Sequence, residues 1–397
     1  MESQSSLSQR AYQLLQMIVD EIGPRPAGSE GEERFLQLAE GFFQDRGFAV
    51  EKQAVPNVPS QANRFPLIAT GVAGLLAAAW FLPQSPWVML LYLAVFSALP
   101  KVMLLFRRKM GGKATVTGHN LIAIVPSAEP PVRTLILCAH HDTARASRIP
   151  NPKLGELARN LLRLWPPIML LLTVVALARV ADIWFPFAPD VAWQVVRNAL
   201  MVLLGLWGLF ILAYQVASMS KRFSPGANDN GSGVAALMAA AEVFAREPLR
   251  CTEVRLIFFS AEENGLLGSE HYVKERRNSL KSAATLNLDM VGSGQEMTFV
   301  RGAGMFPPRR TTPRLNALLR QIRPGIRGRW YWMGDSDFSS FLAKKIPAVS
   351  LEASGRGREN VYHTDHDTMD HIQPELLAEA MQIVLDFARA LDGAEGG

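Results

Sequence analysis

Residues 198 to 220, "NALMVLLGLWGLFILAYQVASMS", run 23 positions without a charge. A helix needs about 20 apolar residues to cross the hydrocarbon of a bilayer, so any fold for this chain must place a segment with the length and character of a membrane span. Three further apolar runs accompany it. Phe65 to Leu82, "FPLIATGVAGLLAAAWFL", is uncharged for 18 residues, and after "PQSP" a second run begins at Trp87 and is interrupted by Lys101. "LWPPIMLLLTVVALA", Leu164 to Ala178, is marginal in length. In pairs they predict two transmembrane helical hairpins, 64–106 and 164–220. The competing reading makes them buried helices of a large globular core, and it fits the first and fourth runs worst.

Basic residues in the flanks set an orientation. Arg64, Arg107, Arg108, Lys109, Lys113, Arg159, Arg163, Lys221 and Arg222 lie on one side, against Arg179 and Arg197 on the other. The positive side faces the cytoplasm, which predicts an integral membrane protein with its hydrophilic body on the cytoplasmic side. The opening "MESQSSLSQRAYQLLQMIVDEIG" reads as an amphipathic helix without the apolar centre of a signal peptide. Cys138 and Cys251 each lie in or beside an apolar strand-like run and read as buried free thiols.

The remainder alternates short β-branched runs with helical patterns. "HNLIAIVPS" from His119, "RTLILCAHHD" from Arg133, "EVRLIFFSAEE" from Glu253, "ATLNLDMVG" from Ala284 and "IPAVSLEAS" from Ile346 read as strands covered on both faces. Helices are expected over 29–46, 233–246, 312–322, 337–345 and 374–391. Ser29 and Glu32 have the form of a capping box, Asp337 that of an N-cap, and Pro374 suits a first helical turn. The fold class is α/β, a mixed and mostly parallel sheet sandwiched by helices. Its domain is discontinuous, 1–63 with 107–163 and 221–397, because the hairpins interrupt it.

In open α/β sheets functional groups gather where strands end. Four polar clusters stand there: "AHHD" at Ala139, "AEEN" at Ala261, "NLDM" at Asn287 and "YHTDHDT" at Tyr362. A fifth, "SPGANDNGSG" from Ser224, is a turn into a helix and carries Asp229. Two imidazoles and three carboxylates are ligands that zinc accepts, and they suffice for two ions sharing one bridging carboxylate. The charges of two such ions are cancelled by three carboxylates and a hydroxide. One carboxylate is then left over, so of Glu262 and Glu263 one binds metal and the other faces the activated water as a general base.

The ordered set "HHD", "GANDNGSG", "SAEENGLLGS", "NLDM" and "YHT" resembles the M28 family of zinc peptidases, the aminopeptidase and glutamate carboxypeptidase-like group. The resemblance spans about 107 to 163 and 221 to 397, and makes this chain a membrane-embedded variant. It implies two zinc ions per chain, one held by His140, Asp229 and Asp289, the other by Asp229, Glu263 and His363, with Asp229 bridging. It also implies Glu262 as the general base, Asp142 as the acid that orients His140, and Tyr362 as a donor to the oxyanion. A cis peptide is implied between Asp229 and Asn230. His141 should point away from the metals, while His366 and His371 should meet solvent or Asp367 and Asp370. Family members that are soluble carry a short loop where this chain has residues 143 to 228. Nine steps separate Ser220 from Asp229, so the bridging ligand should lie within about 32 Å of the end of the fourth apolar run.

The function expected is a zinc-dependent aminopeptidase that hydrolyses amino-terminal peptide bonds. Alternatives are an inactive membrane scaffold or receptor of the same fold, a glutaminyl cyclase-like acyltransferase and a carboxypeptidase. The partners are a peptide substrate and membrane lipid around four spanning segments; no nucleic-acid module is present in the sequence, and it leaves the oligomeric state open. Residues 301 to 329 hold eight arginines and no acid, a patch suited to anionic lipid. Trp330, Tyr331 and Trp332 are candidates for a specificity pocket, or for packing.

Overall fold

The computed structural model describes residues 4–59, 65–95, 115–147, 157, 161, 164–218, 220–304, 308–331, 335–355 and 361–393. It divides into two compact units, Met1–Ser60 with Thr115–Ala146 and Ser220–Gly397, and Gln61–Ala114 with Ser147–Met219.

The first unit is built on one sheet. Its strands are β1 Ala49–Pro59, β2 Thr115–Val125, β3 Arg133–His140, β4 Thr252–Phe259, β5 Ala283–Leu288, β6 Glu296–Ala303, β7 Arg309–Arg310, β8 Arg327–Tyr331 and β9 Ala348–Ser354. They lie in the order β1-β2-β4-β3-β5-β9-β6-β7, with β8 also on β6. The central strands β4, β3, β5 and β9 are parallel. β1, β2 and β4 pair antiparallel on one side, as do β9, β6 and β7 on the other. The sheet is therefore mixed in equal measure and not mostly parallel. Residues 289–295, between β5 and β6, are too few for a helical crossover, and β6 runs antiparallel to its neighbour β9.

Side chains along β3 show how the sheet is covered. Leu135, Leu137 and Ala139 enter one core cluster, and Ile136 and Cys138 enter another. This period of two is what places alternate residues of a strand on opposite faces. The larger cluster draws on the helices Gln4–Gln16, Glu30–Gln44, Ser232–Arg246 and Pro374–Gly393, the smaller on Leu267–Arg276 and Phe338–Leu342. Both cysteines are free and buried.

Two caps differ from expectation. The Ser29 hydroxyl accepts the Glu32 N–H at 3.2 Å, but the Glu32 carboxylate turns inward, accepting the Gly28 N–H at 2.6 Å and bonding the Ser260 hydroxyl. Asp337 makes no capping bond and is buried. Tyr331 bonds Glu352 through its hydroxyl, and the Trp330 indole N–H donates to Gly304 at 3.1 Å. Tyr331 also packs against the smaller core cluster; Trp332 lies outside the described residues. The arginine stretch is mostly exposed and partly neutralised, Arg323 by Glu379 at 2.6 Å and Arg309 by Asp335 at 3.5 Å, while Arg320 lies over the Phe299 ring.

The second unit contains the helices Phe65–Trp80, Trp165–Trp184 and Asp190–Ser218, with a shorter one at Pro86–Val95. Leu75, Ala79, Leu82, Met89, Leu172 and Leu204 form its interior. Its outer surface is apolar too: Leu170, Val174, Leu177, Val202, Leu206 and Leu209 are all exposed. Pro167–Trp184 and Asp190–Ala217 are long and apolar enough to cross a membrane. The third run is therefore longer than its hydropathy suggested and the first shorter. The remainder of the second run, with Lys101, lies outside the described residues, as do Arg64, Arg107, Arg108, Lys109, Lys113, Arg159 and Arg163. Arg179 is tied at 2.5 Å to Asp182, whose carboxylate also accepts from Trp193 at 2.6 Å.

Candidate metal centre

Strand ends and one turn deliver the polar residues. β3 ends at His140, β4 ends just before Ser260, Ala261, Glu262 and Glu263, and β5 ends just before Asp289. The chain turns sharply after β4, after β5 and in the loop that carries His363. Ala261 at φ 57°, Met290 at φ 52° and His363 at φ 54° occupy the left-handed region, which side chains other than glycine rarely adopt. These kinks lie beside or at the ligating positions.

His140, Asp229 and Asp289 present donor atoms within 4.8 Å of one another, and so do Asp229, Glu263 and His363. Asp229 belongs to both groups through different oxygens. Its Oδ1 is 3.3 Å from His140 Nε2, its Oδ2 3.1 Å from His363 Nε2. His363 Nε2 is also 3.0 Å from Glu263 Oε1, and His140 Nε2 3.9 Å from Asp289 Oδ1. The donor set suits zinc: imidazoles and carboxylates, three to a group, the shared carboxylate spanning the two groups.

Asp142 does two tasks. Its backbone oxygen is 3.1 Å from His140 Nδ1 and its Oδ1 3.6 Å away. The same carboxylate accepts the N–H groups of Glu262 at 3.1 Å and Glu263 at 3.2 Å. Asp142 thus meets His140 through its backbone oxygen and anchors the backbone of both glutamates through its carboxylate. Tyr362 stacks on His363 with ring centroids 3.7 Å apart.

Electrostatics follow from crowding acids in a dry place. Burial, and then Glu263, Asp337 and Asp289, push Glu262 well above the ordinary carboxylate range, with His140 opposing. Burial alone would lower His363, but Glu263 and Asp229 outweigh it and raise the imidazole to about 10. His140 is likewise raised, by Glu262, Asp142 and Asp229 against burial. Burial and the surrounding carboxylates drive the Tyr362 hydroxyl up, so it keeps its proton at neutral pH.

The turn that carries Asp229 is held from several directions. The peptide between Asp229 and Asn230 is cis. The Asn230 amide donates to Leu288 O at 2.8 Å and accepts from Met290 N at 3.1 Å, gripping the backbone on both sides of Asp289. Arg25 and Asp367, neither singled out as a site residue in the sequence, are buried against the same turn. Arg25 sits between two prolines, with nothing local to mark it. His366 and His371 are exposed, as expected, and His366 lies 3.7 Å from Asp365, which leaves Asp367 to the turn. His141 points away from the metal groups, 3.3 Å from Glu32 and stacked on Phe35 at 4.7 Å.

Fold and site together define an α/β protein with two overlapping groups of donor side chains that could hold a metal. The model of peptidase family M28 matches residues 217–388. Aminopeptidase YwaD of Bacillus subtilis is 32% identical over 176 residues, covering 41% of this chain and 37% of that protein. The probable lipoprotein aminopeptidase LpqL of Mycobacterium tuberculosis is 46% identical over 209 residues, covering 43% of this chain and 41% of that protein. The aligned part spans well under half the length of both relatives. Among solved structures, a Zn-dependent exopeptidase from Parabacteroides distasonis superposes with a TM-score of 0.57 at 15% identity, over 96% of this chain and 97% of that one. A glutaminyl cyclase from Bacteroides thetaiotaomicron gives 0.56 at 16% identity, over 96% and 97%. At such identities the likeness is one of fold.

Proposed function

We propose that this chain is a membrane-embedded aminopeptidase that works with two zinc ions. The observation that carries the reading is the pair of donor groups sharing Asp229 through its two oxygens. His140, Asp229 and Asp289 would hold one ion, and Asp229, Glu263 and His363 the other. Zinc held there would supply Lewis-acid chemistry, polarising a scissile carbonyl and activating water.

The chain's own residues supply the proton transfers. Glu262, its proton affinity raised by burial, takes the proton of the attacking water and passes it to the leaving amine. Asp142 holds His140 in its tautomer and keeps both glutamates in place. Tyr362, protonated at neutral pH, donates toward the oxyanion. The names of the relatives YwaD and LpqL favour the amino-terminal direction.

The outward apolar surface of the second unit supports insertion in a bilayer, since a soluble core helix would bury that face. We further propose four spanning segments there with the catalytic unit on the cytoplasmic side, a reading that the flanking basic residues support.

Metal analysis of the purified protein, run beside hydrolysis of amino-terminal and carboxy-terminal chromogenic peptides, tests the whole reading. Two zinc ions and cleavage of the amino-terminal series are expected. One ion with cyclisation of amino-terminal glutamine would select the cyclase alternative. Glu262→Gln should retain zinc and lose about 10²- to 10⁴-fold in rate; full activity in that variant would remove Glu262 as the base.

A further inference from the structure

We infer that Asp367 and Arg25 are positioning residues, a clamp of opposite charge on the Asp229 turn that brings Asp229 and His363 into one metal group. The inference rests on the two-metal reading above and concerns how the second group is assembled.

Asp367 receives three successive amides. Its carbonyl accepts the Ala227 N–H at 3.1 Å, its Oδ1 the Asn228 N–H at 2.8 Å and its Oδ2 the Asp229 N–H at 3.0 Å. Arg25 takes the opposite polarity of the same turn. Its Nη1 donates to Pro225 O at 3.1 Å, its Nη2 to Gly226 O at 3.0 Å and its Nε to His141 O at 3.0 Å. Carbonyls up to residue 226 thus face a cation, and amides from residue 227 face an anion. Polarity reverses at Gly226, which has φ 66° and where a Cβ would stand 2.4 Å from Thr143 Cγ2.

Neither charge is spent on an ion pair among the described residues; each holds backbone. A buried carboxylate satisfied by amide donors and a guanidinium satisfied by carbonyls form a rigid arrangement, because every bond has a fixed direction. The consequence for the site is specific. Asp367 follows His363 by four residues, so its bonds to Asn228 and Asp229 join the loop of one ligand to the backbone of another. Arg25 joins that turn to the residue after His140. The first donor group has an independent tie, since Asn230 grips the backbone around Asp289. Loss of Asp367 should therefore weaken the Asp229, Glu263 and His363 group more than the other.

The test is zinc affinity by calorimetry, with stoichiometry measured at buffered free zinc. Asp367→Asn leaves one acceptor oxygen where two are needed, and is expected to weaken the second ion by about 10- to 100-fold while the first stays bound. Arg25→Lys, which keeps the charge but loses the fork, should weaken zinc in the same direction. Val384→Ala, which opens a cavity in the core and removes none of these bonds, serves as the stability control: it should lower the melting temperature without moving zinc affinity. Unchanged affinity for both ions in Asp367→Asn, or an equal loss in Val384→Ala, would overturn the inference. Should the variants not fold, hydrogen exchange on the metal-free wild type decides: slow exchange at Asn228 and Asp229 is expected, and fast exchange there refutes the clamp. A wild type that binds two zinc ions yet cleaves no peptide would sink the proposed activity while leaving this comparison intact.

Discussion

At the scale of single residues, the site is a problem of like charges solved by direction. Glu262 and Glu263 are adjacent in sequence, yet Asp142 holds both backbones, and Glu263 alone turns to His363. The left-handed backbone at Ala261, Met290 and His363 costs on the order of 1 kcal/mol or more at each position, and it turns the chain where donors are needed. Protonation provides a check. The His363 pKa in the metal-free protein, about 10, lies above the ordinary imidazole value of about 6.5. Its protonated form therefore stabilises the metal-free fold fully below about pH 6.5, and that contribution is lost as pH rises through about 10. Zinc takes the neutral imidazole, so binding near pH 7.5 should release protons and affinity should climb with pH. Calorimetry in buffers of different ionisation enthalpy measures this. His363→Ala should release fewer protons, and an undiminished release would contradict the assignment.

Among elements, packing at the strand ends decides whether the donors stay aligned. The helix Leu267–Arg276 begins soon after the two glutamates and packs close through Gly268, where a Cβ would lie 2.1 Å from Ser260 O, just past β4, and 2.5 Å from Asn120 Oδ1 in β2. Gly268→Ala should cost about 1–3 kcal/mol and reduce zinc affinity, as read by thermal melts and metal analysis. A melt identical to wild type would show that the helix can move away without cost. The strands that sequence reading found, β2, β3, β4, β5 and β9, are those whose apolar runs are buried on both faces. β1, β7 and β8 were not legible, because edge strands carry polar residues such as Glu51, Lys52, Gln53, Arg309 and Arg327 and lack a continuous apolar run. β6 shares the difficulty through the exposed Arg301.

At the scale of the whole molecule, the chain leaves one unit and returns to it twice. The second unit is apolar inside and out, which in water would leave a large hydrophobic surface exposed. The protein should accordingly resist alkaline extraction from membranes and require detergent. Release by carbonate would refute insertion, and a reporter at the carboxy terminus found on the external face would invert the orientation. What the sequence determined by itself was the chemistry of the donors and the class of fold, because ligand types, strand burial and helical runs are written in local composition and order. Only the tertiary structure decided the rest: which oxygen of Asp229 faces which histidine, that Asp142 serves two glutamates, and that Arg25 and Asp367 grip one turn. Those are matters of distance and direction between residues far apart in the chain, and local pattern carries no record of them.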